Sequence, residues 1–369
     1  MDCPAGTLPL LLKYGDMLGK IRIVELLRVL RTGAIYKAEL EDIPYLLKVA
    51  NPGEVHTAYI KTEAETLSKL REKNVKHPSL PTWVPHRTSD TTHPVGIVTF
   101  NNQLLYYLLF EYVDGEFLND YLLDNSQPFH EHAGWYIRSL SEAAHLIHQE
   151  VGNAHLNLNP DMMLVVRNSA DVPQPLLLDM GLGIALGSQM RVADAIKWRG
   201  FVHPSYAPPV LVLGGSVDAR QDVYIAGIIM HEMLEGHPVH SYKLRRSEDI
   251  FDEIRQYPSA PPIRREDLPT AGRRGKESEP LTRIVEKAVS AGRGAGYGDL
   301  TQLRGALLNL YGPIDEKKEF NFGEFIQKST RRAIIIGMAV MILFVLYMLI
   351  VALLGSPLPE VASVFFRLT

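Results

Sequence analysis

The stretch HLNLNPDMML, residues 155–164, concentrates side chains that could do chemistry. It holds an imidazole (His155), two primary amides (Asn157 and Asn159), one carboxylate (Asp161) and two thioethers (Met162 and Met163). Taking a proton from a hydroxyl near pH 7 needs a carboxylate or an imidazole within hydrogen-bond reach; an amide accepts a hydrogen bond but not the proton. A thioether offers no oxygen to a hard cation such as magnesium. Asp161 is the one carboxylate of the stretch, and on so tight a loop it is expected to point away from its neighbours. Elsewhere, thirteen histidines show no His-Glu-x-x-His spacing, so no zinc site is expected. Cys3 is the sole cysteine, which excludes a disulfide within the chain and a cysteine-based zinc centre.

A loop of this kind acts only if larger elements hold it. With 369 residues, 46% of them apolar, the chain can bury the core of one large domain or two smaller ones. A net charge of -4 gives no sign of a nucleic-acid or polyanion binder. Residues 20–113 carry alternating, β-branched stretches (IRIVELL, AIYKAEL, YLLKVA, GIVTF) and one helical pattern, AYIKTEAETLSKLREK. Residues 116–312 carry longer helical patterns, among them HAGWYIRSLSEAAHLIHQEV, DVYIAGIIMHEMLEG and LTRIVEKAVSAG, joined by Pro- and Gly-rich loops. No internal repeat is present, and residues 258–280 read as a polar surface loop.

The N-terminal residues MDCPAGTLPLLLKYGD lack the basic and apolar regions of a cleaved signal peptide. Residues 333–354, AIIIGMAVMILFVLYMLIVALL, run without a charge for about 22 residues, roughly 33 Å as a helix, which predicts one transmembrane span. Lys328, Arg331 and Arg332 precede it and only Arg367 follows, so residues 1–332 are expected in the cytoplasm. Gly337 is the only glycine of the span, so no G-x-x-x-G dimerisation spacing exists. The expected organisation is an N-terminal segment (1–15), a small lobe (16–113), a large lobe (114–314), a juxtamembrane linker (315–332), the span (333–354) and a short extracytoplasmic tail (355–369).

In order along the chain come KVA at Lys48, TEAETLSKL at Glu63, HPSL at His77, FEYVDGEFL from Phe110, HLNLNPDMML, LLDMGLG at Asp179, PSYAPPVL, and RQDVYIAG at Asp222. This series resembles the eukaryotic-like Ser/Thr protein kinase family of bacterial type over residues 16–312. The resemblance implies an α+β bilobal fold, with a β-rich small lobe and a larger helical lobe. It assigns nucleotide contact to Gly33, Lys48, Glu63 and the hinge residues Glu111 and Val113, magnesium to Asp179, and a brace for the catalytic loop to Asp222. ATP and magnesium are the cofactors it implies.

The same resemblance exposes departures. Asn157 stands where the family has its catalytic aspartate, Asn159 where it has the lysine of that loop, and Met162 where an asparagine holds the second metal. Leu156 replaces the loop arginine. Arg28 and Leu30 replace the first two glycines of the phosphate-covering turn, while Gly33 matches the third. Leu46 and Phe110 enlarge two positions of the purine slot. The glutamate after Ala-Pro is Val210, and its arginine partner falls on Gly296, so both halves of that ion pair are gone. His203 replaces the threonine that reaches the catalytic residues, and is expected to be solvated.

Each assignment has a plainer alternative. Lys48 and Glu63 can form an ion pair that only fixes helix to sheet, Asp179 can be a hydrogen-bonded structural residue, and His155 reads as buried and structural. Three functions therefore stand open: a pseudokinase acting as a membrane-tethered scaffold or allosteric module for a protein partner, a weakly active ATP-dependent Ser/Thr kinase, and an ATP-binding sensor without transfer.

Overall fold

A computed structural model describes residues 10–87, 92–169, 171–242, 245–256, 262–263, 279–292 and 294–313. These belong to one unit, Met1–Ile314. The linker 315–332, the span expected at 333–354 and the tail lie outside the described residues, as does most of the polar loop 258–280. Among the described residues, no helix is long and apolar enough to cross a membrane.

The small lobe is built on β1 (Met17–Leu18), β2 (Ile21–Val29), β3 (Gly33–Leu40), β4 (Ile43–Ala50), α1 (Glu54–Glu72), β5 (Trp83–Val84), β6 (His86–Arg87), β7 (Thr92–His93), β8 (Gly96–Phe100) and β9 (Gln103–Glu111). Its main sheet is antiparallel in the order β1-β2-β3-β4-β9-β5, with β8 also paired to β9. Period-two alternation sends Ile21 and Ile23 of β2 inward and Arg22 outward. Helix α1 buries Tyr59, Ile60, Glu63, Ala64, Leu67 and Leu70, a spacing that lies on one helical face. Glu54 in its first turn and Lys69 and Arg71 in its last complement the helix dipole.

The large lobe follows with β10 (Glu116–Phe117), α2 (Leu118–Asp124), α3 (His130–Val151), β11 (Asn153–Ala154), β12 (Met163–Arg167), β13 (Pro173–Leu177), β14 (Ile184–Ala185), β15 (Gln189–Met190), α4 (Val192–Arg199), α5 (Pro209–Leu213), β16 (Gly215–Ser216), α6 (Arg220–Glu235), α7 (Ser247–Gln256), α8 (Glu279–Ala291) and α9 (Leu300–Tyr311). Helix α6 is buried nearly all round, as its apolar sequence requires, and it packs against α3, α8 and α9. Gly152 and Gly236, both left-handed, end α3 and α6. The loop between β11 and β12 carries residues 155–162 across the top of α6, facing α1 and Lys48.

Candidate functional site

The loop is held from below by its main chain. The Asp222 carboxylate, in the first turn of α6, accepts the backbone N–H of His155 at 2.7 Å and of Leu156 at 2.8 Å. His148 of α3 contacts the same carboxylate through Nε2 at 2.6 Å. Burial opposes the charge on Asp222, but the contacts with His148 and His155 outweigh it and hold the carboxyl below its usual range. Leu156 is fully buried with a φ of 62°, a left-handed conformation that a branched side chain adopts only when its surroundings enforce it.

Above the loop, β4 and α1 bring Lys48 and Glu63 together in an ion pair, and the Lys48 ammonium lies 3.1 Å from Asp179 Oδ1. The relative exposures are 2%, 1% and 1%, so all three charges are out of water. Burial works against the Lys48 ammonium, but the Asp179 and Glu63 carboxylates outweigh it and raise its pKa. Glu63 is pushed up to about 7 by burial, with Lys48 opposing and Asp179 adding to the rise. Asp179 also accepts the N–H of Gly181 at 3.1 Å, and the Thr32 hydroxyl lies 3.4 Å from its other oxygen.

Tyr59, one turn before Glu63 on α1, fills the space between this cluster and the loop. Its hydroxyl accepts the Asn157 side-chain N–H at 3.0 Å. Its ring stacks on Phe201 with centroids 5.6 Å apart and lies against Gly181, where a Cβ would stand 2.1 Å from the ring. Asn157 Nδ2 also meets the Phe201 carbonyl at 3.4 Å and Met162 Sδ at 3.3 Å, and Asn159 Nδ2 meets that sulfur at 3.2 Å. Asn157, Asn159, Met162 and Tyr59 are all buried. The amides are satisfied by one another and by their neighbours, with none directed at open solvent.

The end of β2 and the turn after it line a cleft on the outer side of the loop, opposite Asn159, Asp161 and Met162. Arg28 forms ion pairs with Asp120 and with Asp161 (3.5 Å), and its guanidinium lies 4.6 Å from the Phe117 ring centroid, so it joins the two lobes. Asp161 is thus turned toward Arg28, away from Asn157. Leu30 enters the core with Ile35, Leu46, Phe110 and Leu164. Gly33 has a packing reason to be glycine: a Cβ there would stand 2.0 Å from the Val49 carbonyl of β4. Of the hinge residues, Glu111 is exposed and its N–H donates to the Thr82 carbonyl at 2.9 Å, while Val113 is half-buried.

Two further departures have local structural accounts. Near Val210, the Gln221 carbonyl oxygen accepts the Val210 N–H at 3.2 Å and its amide reaches the Gly292 carbonyl at 3.4 Å, while Gly296 has a φ of 81° and leaves no room for a Cβ beside the Lys287 carbonyl. His203, expected to be solvated, is half-buried. Its Nδ1 accepts the Ser205 N–H at 3.3 Å, capping the short turn Pro204–Tyr206, and its ring meets Tyr242 edge-on at 4.5 Å. Burial, aided by Arg31, pushes its pKa down to about 3, so it is a neutral packing residue.

The sequence expectations brought together Lys48, Glu63, Asp179, Asn157, Asn159 and Met162, and the structure places all six in one buried cluster. Sequence reasoning missed Tyr59, Thr32 and the Arg28 link. Tyr59 had a usable signal, since residues four apart on a helix share a face and Glu63 was already placed inward. ATP with magnesium does not fit this arrangement. Met162 replaces an oxygen donor, and the Tyr59 ring lies between the two loops that would hold phosphate and metal.

An antiparallel sheet with one helix, set over a helical lobe whose central helix braces a loop beneath a buried Lys–Glu pair, is the protein-kinase architecture. The chain belongs to the protein kinase domain family, which it matches over residues 94–290. It is similar to the serine/threonine-protein kinase PknB of Mycobacterium leprae, 26% identical over 206 residues, 56% of this chain and 30% of that protein. PknB of Mycobacterium tuberculosis is 27% identical over 210 residues, with the same coverage. The serine/threonine-protein kinase GL21140 of Drosophila persimilis is 26% identical over 217 residues, 58% of this chain and 25% of that protein. The match spans less than a third of the length of these curated relatives.

Proposed function

We propose that this chain is a pseudokinase: a protein-kinase fold that acts as a signalling scaffold or allosteric module for a protein partner, with little or no phosphoryl transfer. One observation carries the reading. At the position of the catalytic base stands Asn157, and its amide is spent on Tyr59, Met162 and the Phe201 carbonyl. A kinase works by positioning an acceptor hydroxyl beside a carboxylate and by stabilising phosphoryl charge with metals. Here the carboxylate is an amide, the second metal ligand a thioether, and Asp161 is engaged by Arg28. Residues 333–354 tether the module to a membrane as a single span, with the kinase-like lobes on the cytoplasmic side; the uncharged run and the basic residues before it support this placement.

The test is transfer of radiolabel from γ-labelled ATP, with magnesium or manganese, to the chain itself and to a generic protein acceptor. Incorporation is expected to equal that of a Lys48→Ala variant. Incorporation that clearly exceeds the variant's overturns the reading. For the anchor, the full chain is expected to float with membranes and a chain cut before residue 333 to stay behind; equal recovery of both with the membrane fraction removes the tether.

A further inference from the structure

The charged trio Lys48, Glu63 and Asp179 survives intact beside a loop that has lost its base and its second metal ligand. In active relatives the residue at 157 faces the acceptor hydroxyl and the residue at 179 holds metal, so the reacting phosphoryl group lies between them. In this chain that interval is occupied by a side chain. The Tyr59 hydroxyl sits at 3.0 Å from the Asn157 amide. Its ring covers Gly181 and presents its face to the Lys48 ammonium, 5.8 Å from the centroid. Tyr59 is itself 2% exposed, so the occupation is complete.

We propose that Tyr59 is the residue that keeps nucleotide out of this fold, and that a purine nucleoside triphosphate with a divalent cation enters the cleft once the ring is removed. The proposal rests on the reading of the chain as a kinase-fold module without phosphoryl transfer. The ring comes from α1, the element of the small lobe that also carries Glu63. The same helix therefore completes the Lys48–Glu63 pair and closes the space in front of it. An inward α1, which in relatives is the state ready for ATP, is in this chain the closed state. Shortening residue 59 leaves a space bounded by Lys48, Asp179 and Asn157, three polar groups that would be hydrated and able to face phosphate oxygens and a cation. A residue serving only to pack against Phe201 would lower stability on shortening and confer no binding.

The experiment uses the full chain in detergent and titrates ATP with magnesium by calorimetry and by thermal shift. The wild type is expected to show no saturable binding at millimolar ATP. Tyr59→Ala is expected to bind saturably, with an apparent affinity roughly tenfold or more above the wild-type limit, because the closed population that taxes binding is removed. Tyr59→Leu, which keeps an apolar contact with Phe201, carries the same expectation if the alanine variant does not fold. Adding Lys48→Ala to either variant is expected to abolish the new binding. The proposal is overturned by saturable binding to the wild type, by a folded residue-59 variant that does not bind, or by binding that survives loss of Lys48. Failure of the functional reading looks different: a Tyr59→Ala protein that both binds ATP and transfers phosphate upholds the gate and removes the pseudokinase assignment.

Discussion

The Asn157 side-chain amide donates to the Tyr59 hydroxyl at 3.0 Å, joining the loop of the large lobe to the helix of the small one. The same nitrogen faces the Phe201 carbonyl and the Met162 sulfur, two groups that only accept. Restoring a carboxylate by Asn157→Asp therefore sets one oxygen of a buried acid against the Phe201 carbonyl and the Met162 sulfur. The variant is expected to lose about 1–3 kcal/mol of stability in urea unfolding at pH 7.5 and to gain no phosphate transfer. Burial would raise the new acid's pKa above its unfolded value, so the deficit should shrink as pH falls toward 5. A variant as stable as wild type at pH 7.5 would contradict this account of the amide.

Lys48 neutralises two carboxylates that have no other cation at comparable range among the contacts of this cluster. Lys48→Ala leaves Glu63 and Asp179 together and out of water. The expected loss is about 3–5 kcal/mol, in the absence of any nucleotide. Lys48→Ala with Glu63→Gln should recover part of it, since one uncompensated charge is then gone. Should Lys48→Ala unfold at the wild-type denaturant midpoint, the cluster would not be structural.

Glu232 of α6 accepts the Tyr206 hydroxyl, and burial pushes its carboxyl up to about 7, with the Tyr206 hydrogen bond opposing and Asp161 adding to the rise. A folded pKa above the unfolded one means the fold binds the extra proton. The contribution is fully present below about pH 4.5 and is lost as pH rises through 7. Glu232→Gln, which cannot ionise, should gain on wild type between pH 5 and pH 8 by about 1–3 kcal/mol. Chemical denaturation of both proteins across that range reads the difference directly. A gap that stays constant with pH would place the Glu232 carboxyl at its ordinary value.

Much of this architecture is legible in the sequence because burial imposes periods. Helices α1, α3, α6 and α8 carry continuous apolar faces, and the strands of the small lobe alternate; both patterns survive without knowledge of the neighbours. Helix α7 is not legible, since SEDIFDEIRQ offers only Ile250, Phe251 and Ile254 as an inward face among charges. Lys48, Glu63 and Asp179 were legible as a set only through the order of landmarks. Tyr59 is legible as an inward residue, one turn from Glu63, but not as a plug, because an aromatic residue at helical spacing looks like core. The family resemblance assigns Gly33 to phosphate approach, while the nearness of the Val49 carbonyl is a property of strand pairing that no single segment encodes. His203 escaped for the same reason, since a turn cap and two tyrosine neighbours exist only after folding.

Asp222 grips N–H groups of the chain and touches none of the side chains at 157, 159 or 162. A grip of that kind is indifferent to what the loop displays. Chemistry can be swapped out on the upper surface while the shelf beneath keeps its shape, and whatever docks on the outline of a kinase would meet the same contour whether or not the furnace inside is lit.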